Sequence, residues 1–89
     1  MRASYYPKQF ERDVKLQKRR GKDIGKLKAI IQHLVEDRPL AERNRDHSLS
    51  GDFAGYRECH IEPDWLLIYK LGEDVVYFVR TGTHSDLFD

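Results

Sequence analysis

The stretch "YRECHIEPDWLLIYKLGEDVVYFVR" (Tyr56–Arg80) decides the fold, because its apolar residues recur at a period of two between turn signals. In Tyr56–Ile61, Arg57, Cys59 and Ile61 share one face, while Tyr56, Glu58 and His60 share the other. "EPD" (Glu62–Asp64) makes a turn. Trp65–Leu71 is apolar on both faces, as a strand in the middle of a sheet must be. "LGED" (Leu71–Asp74) turns again into Val75–Arg80, where strict alternation sets Arg80 on the face of Val76 and Phe78. Three antiparallel strands in a meander follow.

Upstream the period changes. Pro7 suits the first turn of a helix, and from Lys8 to Arg20 the residues Phe10, Val14 and Gln17 fall on one side. Lys15, Lys18, Arg19 and Arg20 gather at the C-terminal end, where cations complement the helix dipole, and Gly21 reads as the stop. Asp23 can cap a second helix carrying Ile24, Leu27, Ile30, Ile31 and Leu34 inward and Lys22, Lys26 and Lys28 outward, ended by Pro39. Tyr5 and Tyr6 favour an extended start. The expected fold is α+β, β-α-α-β-β-β, with two N-terminal helices on one face of a mainly antiparallel twisted sheet, in one domain over residues 1–89. Asp37–Gly55 has no sustained apolar period, and a segment of that length in so small a chain more often carries function than filler.

Composition narrows the class. Residues 1–46 carry 13 Lys/Arg against 7 Asp/Glu, while residues 47–89 carry 3 against 8. The front half is thus a candidate surface for a polyanion, or simply the solvated side of two helices. No run of about 18 apolar residues and no leader pattern appears, so no membrane contact and a cytoplasmic location are expected. The only cysteine, Cys59, lies in a strand and reads as a small buried hydrophobe. No CxxC, HExxH, GxGxxG or GxxxxGK spacing is present, and neither a metal nor another cofactor is expected.

Three of the four histidines lie in the second half: His47 in the long loop, His60 at the end of a strand, and His84 just past the last strand. A meander can bring His60 and His84 to one rim, with Asp64 in the adjoining turn and His47 delivered by its loop. Imidazoles titrate near pH 6.5, so one can accept a proton while another donates. Set on either side of a phosphodiester, such a pair can deprotonate a ribose 2′-hydroxyl and protonate the departing 5′-oxygen without a metal. Arg80 can offset charge on the non-bridging oxygens. Trp65 or Phe88 can stack on a base, although Trp65 suits core packing equally well and Phe88 can serve as an anchor. His33, beside Leu34 on the second helix, reads as structural.

"RDHSLSGDFAGYRECHIEPDWLLIYKL" (Arg45–Leu71) followed by "VRTGTHSDLF" (Val79–Phe88) resembles the YafQ branch of the RelE/ParE superfamily, toxins of bacterial type II toxin–antitoxin systems. The matching pieces are DH-x-L-x-G, a G-Y-R-x-x-H strand, E-P-D-W-L-L-I-Y and R-T-G-T-H-x-x-L-F. The basic stretch Asp13–Lys28 is similar to the family's helices more loosely. The resemblance implies a ribosome-dependent, metal-independent endoribonuclease that cuts mRNA in the decoding site. It implies, as partners, the ribosome with bound mRNA, ribosomal RNA, and a neutralising antitoxin whose complex with the toxin binds operator DNA. His47, His60, Asp64, Arg80, His84 and Phe88 occupy the family's active-site positions, and Trp65 also matches. On that reading His47 or Asp64 helps remove the 2′-proton, His84 protonates the leaving oxygen, His60 positions phosphate and Arg80 offsets its charge. Lys15, Lys18, Arg19, Arg20, Lys22, Lys26 and Lys28 would then face ribosomal RNA phosphates.

Other readings fit the same residues: a ParE-like gyrase poison, a metal-dependent nuclease, or a non-catalytic RNA- or protein-binding module.

Overall fold

The computed structural model describes residues 1–88 and contains a five-stranded sheet in the order β1-β5-β4-β3-β2. The strands are β1 (Ala3–Tyr5), β2 (His47–Ser48), β3 (Arg57–Glu62), β4 (Trp65–Leu71) and β5 (Val75–Gly82). Helices α1 (Lys8–Arg19) and α2 (Ile24–Val35) follow β1, and a short α3 (His84–Phe88) follows β5. Pairing is antiparallel except between β1 and β5. The α+β architecture expected from the periodicities is the one observed, with β2 and α3 added.

Local chemistry explains the helix ends. Past the last turn of α1, Gly21 takes φ 87°, and the amides of Gly21 and Lys22 return to the carbonyls of Lys18 and Gln17. This doubly bonded turn occupies two carbonyls that the helix would otherwise leave open. The Asp23 side chain then accepts from Gly25 N at 2.9 Å and starts α2. α2 closes at Val35, before Pro39: Asp37 adopts φ 57°, and the amides of Asp37 and Arg38 bond to the carbonyls of Leu34 and His33. An aspartate can take this left-handed position at modest cost.

Phe10, Leu27, Ile30 and Leu34 from the helices meet Cys59, Trp65, Leu67, Tyr69, Val76 and Phe78 from the sheet in one core. Tyr6, Phe10 and Phe78 stack at centroid distances of 5.2–6.0 Å. Burial pushes the Cys59 thiol far above its ordinary range, which makes it an inert packing group. β4 is the central strand; Leu66 and Ile68, on the face away from the helices, are as fully buried as Leu67 and Tyr69.

Two sequence expectations change here. The β4–β5 register skips Val79, pairing Tyr69 with Phe78 and Ile68 with Arg80. The bulge shifts the phase, so Thr81, opposite Leu67, takes the inward position and strict alternation no longer places Arg80 with Val76 and Phe78. Trp65 is removed from the candidate RNA-binding surface, because its ring is wholly buried in the core and offers no face to a base. The indole N–H donates to Thr81 Oγ1 at 3.0 Å, and the Thr81 hydroxyl donates onward to the Leu66 carbonyl at 2.7 Å. Replacing Trp65 with Ala should cost about 3–5 kcal/mol of unfolding free energy in a denaturant titration. A loss below about 1 kcal/mol would place the ring at the surface.

Candidate active site

One end of the sheet's second face collects the histidines. Cross-strand partners share a face, and His47 opposes Glu58, Glu58 opposes Ile68, and His60 opposes Leu66. The three rings form a file, His47 to His60 at 6.3 Å and His60 to His84 at 5.9 Å between centroids. His47 is delivered by β2, the two-residue strand inside the segment that showed no period.

Each ring is oriented through Nδ1. That atom lies 2.5 Å from the Arg45 carbonyl in His47, 3.3 Å from the Pro63 carbonyl in His60, and 2.5 Å from Asp64 Oδ1 in His84. Carbonyl and carboxylate oxygens only accept, so in all three rings Nδ1 carries the hydrogen and Nε2 is the end left for proton exchange. Nε2 of His47 and Nε2 of His60 both lie 3.5 Å from Oε1 of Glu58, a buried carboxylate. A proton on either nitrogen would lie within ion-pair distance of that oxygen. Glu58 was legible in the sequence as the residue two before His60 on the same strand face, and its part in the site emerges only from the fold.

Asp64 receives both the His84 backbone N–H, at 2.9 Å, and its ring nitrogen. These two contacts, the backbone one first, hold its carboxyl below the usual aspartate range. α3 begins with a reciprocal cap: Asp86 N donates to Thr83 Oγ1 at 3.1 Å, and Thr83 N donates to Asp86 Oδ2 at 2.9 Å. Asp86 also accepts two bonds from the Arg20 guanidinium and one from Gln17 Nε2. Arg20, ahead of the Thr83 amide, drives the Asp86 carboxyl far below its ordinary value. The T-x-x-D spacing announces the cap; the tie to α1 does not show in sequence.

Arg80 makes no bond to the histidines; its Nε and Nη2 donate to Asp13 on α1 at 2.7 and 3.2 Å. Asp13, buried on α1 along with Phe10 and Gln17, also accepts from Thr81 N and Gln9 Nε2. Phe88 is 44% exposed and stands edge-to-face with Phe53 at 5.7 Å. The basic set divides. Arg20 is committed to Asp86, and Lys22 and Lys26 each lie 3.0 Å from Glu62, with Lys22 also 5.8 Å from the Trp65 ring centre. Lys15, Lys18, Arg19 and Lys28 remain exposed. Among the described residues no group of three or more His, Cys, Asp or Glu side chains is disposed to hold a metal ion.

The fold thus sets a helix pair on a small sheet, with basic residues on the helices and a histidine file at one rim. Residues 2–89 match the family model described as "Bacterial toxin of type II toxin-antitoxin system, YafQ". The chain belongs to the YafQ family. It is 48% identical over 84 residues to the Escherichia coli K12 protein named mRNA interferase toxin YafQ, spanning 93% of this chain and 91% of that one. The crystal structure of YafQ from E. coli BL21(DE3) superposes with a TM-score of 0.94 at 44% identity over the whole of both chains. YafQ in the E. coli DinJ–YafQ complex gives 0.92 at 46% identity, again over both whole chains.

Both depressed carboxylates stabilise the fold above the unfolded aspartate value of about 3.9, and the contribution is lost as pH falls through the lower folded values. Carboxyl-carbon NMR titration should give midpoints below about 3.9 for Asp64 and Asp86, Asp86 the lower. A midpoint at the ordinary value for either would mean that its contact is not kept in solution.

Proposed function

We propose that this protein is an mRNA interferase toxin: an endoribonuclease that cuts mRNA on the translating ribosome and is neutralised by a cognate antitoxin. The observation that carries the reading is the file of three imidazoles, each with Nδ1 engaged by an acceptor and Nε2 left for proton exchange. The family relationship adds the substrate class, since the E. coli K12 relative is named an mRNA interferase toxin. It also adds the antitoxin, since E. coli YafQ forms a complex with DinJ. By extension the toxin–antitoxin complex, rather than the toxin alone, meets operator DNA.

In the proposed reaction, His47 Nε2 takes the ribose 2′-proton, with Glu58 beside it to share that proton. The 2′-oxygen attacks phosphorus, the P–O5′ bond breaks, and protonated His84 delivers its Nε2 hydrogen to the departing 5′-oxygen. The products are a 2′,3′-cyclic phosphate and a 5′-hydroxyl. Asp64, engaged twice by His84, orients the acid rather than serving as base. His60 lies between the two ends of the file, where it can hold the phosphate. Arg80 keeps Nη1 for the non-bridging oxygens while Asp13 holds the rest of its guanidinium. Phe88 offers an exposed ring to a base. No step requires a metal.

His84→Ala should lower cleavage of ribosome-programmed mRNA about 10²–10⁴-fold with ribosome binding kept. Wild-type products should carry 5′-hydroxyl ends, and activity should survive EDTA when ribosome integrity is maintained. Ends bearing a 5′-phosphate would replace this mechanism with metal-assisted water attack, and no cleavage by wild type would return the protein to the gyrase or binding-module readings.

Exchanging Lys15, Lys18, Arg19 and Lys28 for Gln should weaken ribosome binding and reduce its salt dependence, with thermal stability nearly unchanged. Exchanging Arg20, Lys22 and Lys26 should cost stability as well, because these residues serve internal carboxylates. Ribosome binding indifferent to the first set at moderate salt would place that surface elsewhere.

A further inference from the structure

The second face of the sheet does not end at the histidines. Tyr56, just before β3 and two residues from Glu58, and Lys70, two residues past Ile68 on β4, lie about 7 Å from those neighbours by strand geometry. Lys70 opposes Tyr77 on β5, and Tyr77 opposes Tyr5 on β1. A row of three tyrosines and one lysine therefore runs across the sheet beside the catalytic row. None of the four carries a carboxylate. Tyr5 and Tyr77 meet edge-to-face at 6.0 Å, which steadies both rings while leaving them 56% and 41% exposed. The Lys70 ammonium stands 5.5 Å from the centre of the Tyr56 ring, and an open depression of about 320 Å³ lies among the four.

The row is joined to the site by aromatic contact. Phe88 stands edge-to-face with Phe53 at 5.7 Å, and Phe53 with Tyr56 at 6.3 Å. We infer that the Tyr5–Tyr77–Lys70–Tyr56 row is a binding track for single-stranded RNA, gripping nucleotides that flank the scissile phosphate; this rests on the nuclease reading above. The chemistry is that of sheet surfaces that bind single strands: exposed rings accept bases of any sequence, and a cation meets the backbone. The row widens what Phe88 begins, so that strand entry is guided over the whole face rather than at one ring. It acts on binding and takes no part in proton transfer.

The test uses the full chain and a single-stranded oligoribonucleotide with a 2′-O-methyl group on every ribose, which leaves no 2′-hydroxyl to attack, alongside ribosome-programmed mRNA. The double variant Tyr5→Ala/Tyr77→Ala should bind the oligonucleotide about tenfold more weakly, and Lys70→Gln should weaken binding with a smaller salt dependence. Cleavage at saturating substrate should stay within about twofold of wild type, because the loss falls on KM. As a check that needs no variant, photocrosslinking of 5-bromouridine RNA to the wild-type protein should label Tyr5 or Tyr77.

Unchanged affinity in the variants, or crosslinks confined to the helices, would overturn the track while leaving the nuclease reading intact. Loss of antitoxin binding with RNA affinity unchanged would also overturn it, assigning the row to a protein partner. Tyrosine-dependent RNA binding by a wild-type protein that does not cleave would keep the track and remove the nuclease.

Discussion

A single buried carboxylate ties the two layers together. Asp13 sits on the inward side of α1, where an unpaired charge would be costly, and takes bonds from the Arg80 guanidinium, the Thr81 amide and Gln9. β1 accompanies β5 only from Val75 to Tyr77, so the strand beyond that point has no neighbour on that side, and Asp13 supplies the acceptor that a longer β1 would have offered Thr81. Thr81 in turn holds the Trp65 indole. From α1 through β5 to the largest ring in the core, the order is fixed by one hydrogen-bonded chain.

Carboxylates that organise their donors govern the rim as well. Asp64 meets His84 through two contacts, and Glu58 stands between His47 and His60. Asp86 binds α3 back to α1. Short, partly exposed elements would ordinarily fray, and α3 has only five residues. Here the cap of Thr83 with Asp86 and the bond from His84 N to Asp64 hold its first turn from two sides. The acid group of the proposed reaction is therefore placed by electrostatics rather than by burial.

The sequence was most informative where periodicity was strong. The meander, the helix pair and the Gly21 stop follow from patterns that local sterics enforce, and the histidines' meeting at one rim follows from the strand ends. Arg80's surroundings were illegible for a specific reason: a bulge at Val79 changes phase without changing composition, so strict alternation predicts the wrong neighbour. Gln17 falls on the side of Phe10 and Val14 in the sequence, and only the positions of α3 and β5 reveal that it binds Asp86 and that Asp13 binds Arg80. Trp65 read equally well as core or as base platform, because it opens a strand whose two faces are both apolar. The division of the basic residues into paired and unpaired sets depends on Glu62 and Asp86, acceptors distant in sequence.

The bulge and the Asp13–Arg80 pair have a colloidal consequence as well as a structural one. The outer margin of β5 past Tyr77 is a length of strand that β1 does not pair, the kind of margin on which sheets extend from copy to copy. The bulge bends its ladder out of register, and the carboxylate and guanidinium fill the approach with charge. A margin so arranged is a poor template for sheet growth, so the protein can hold an unpaired length of strand beside its reactive rim without inviting copies of itself to stack.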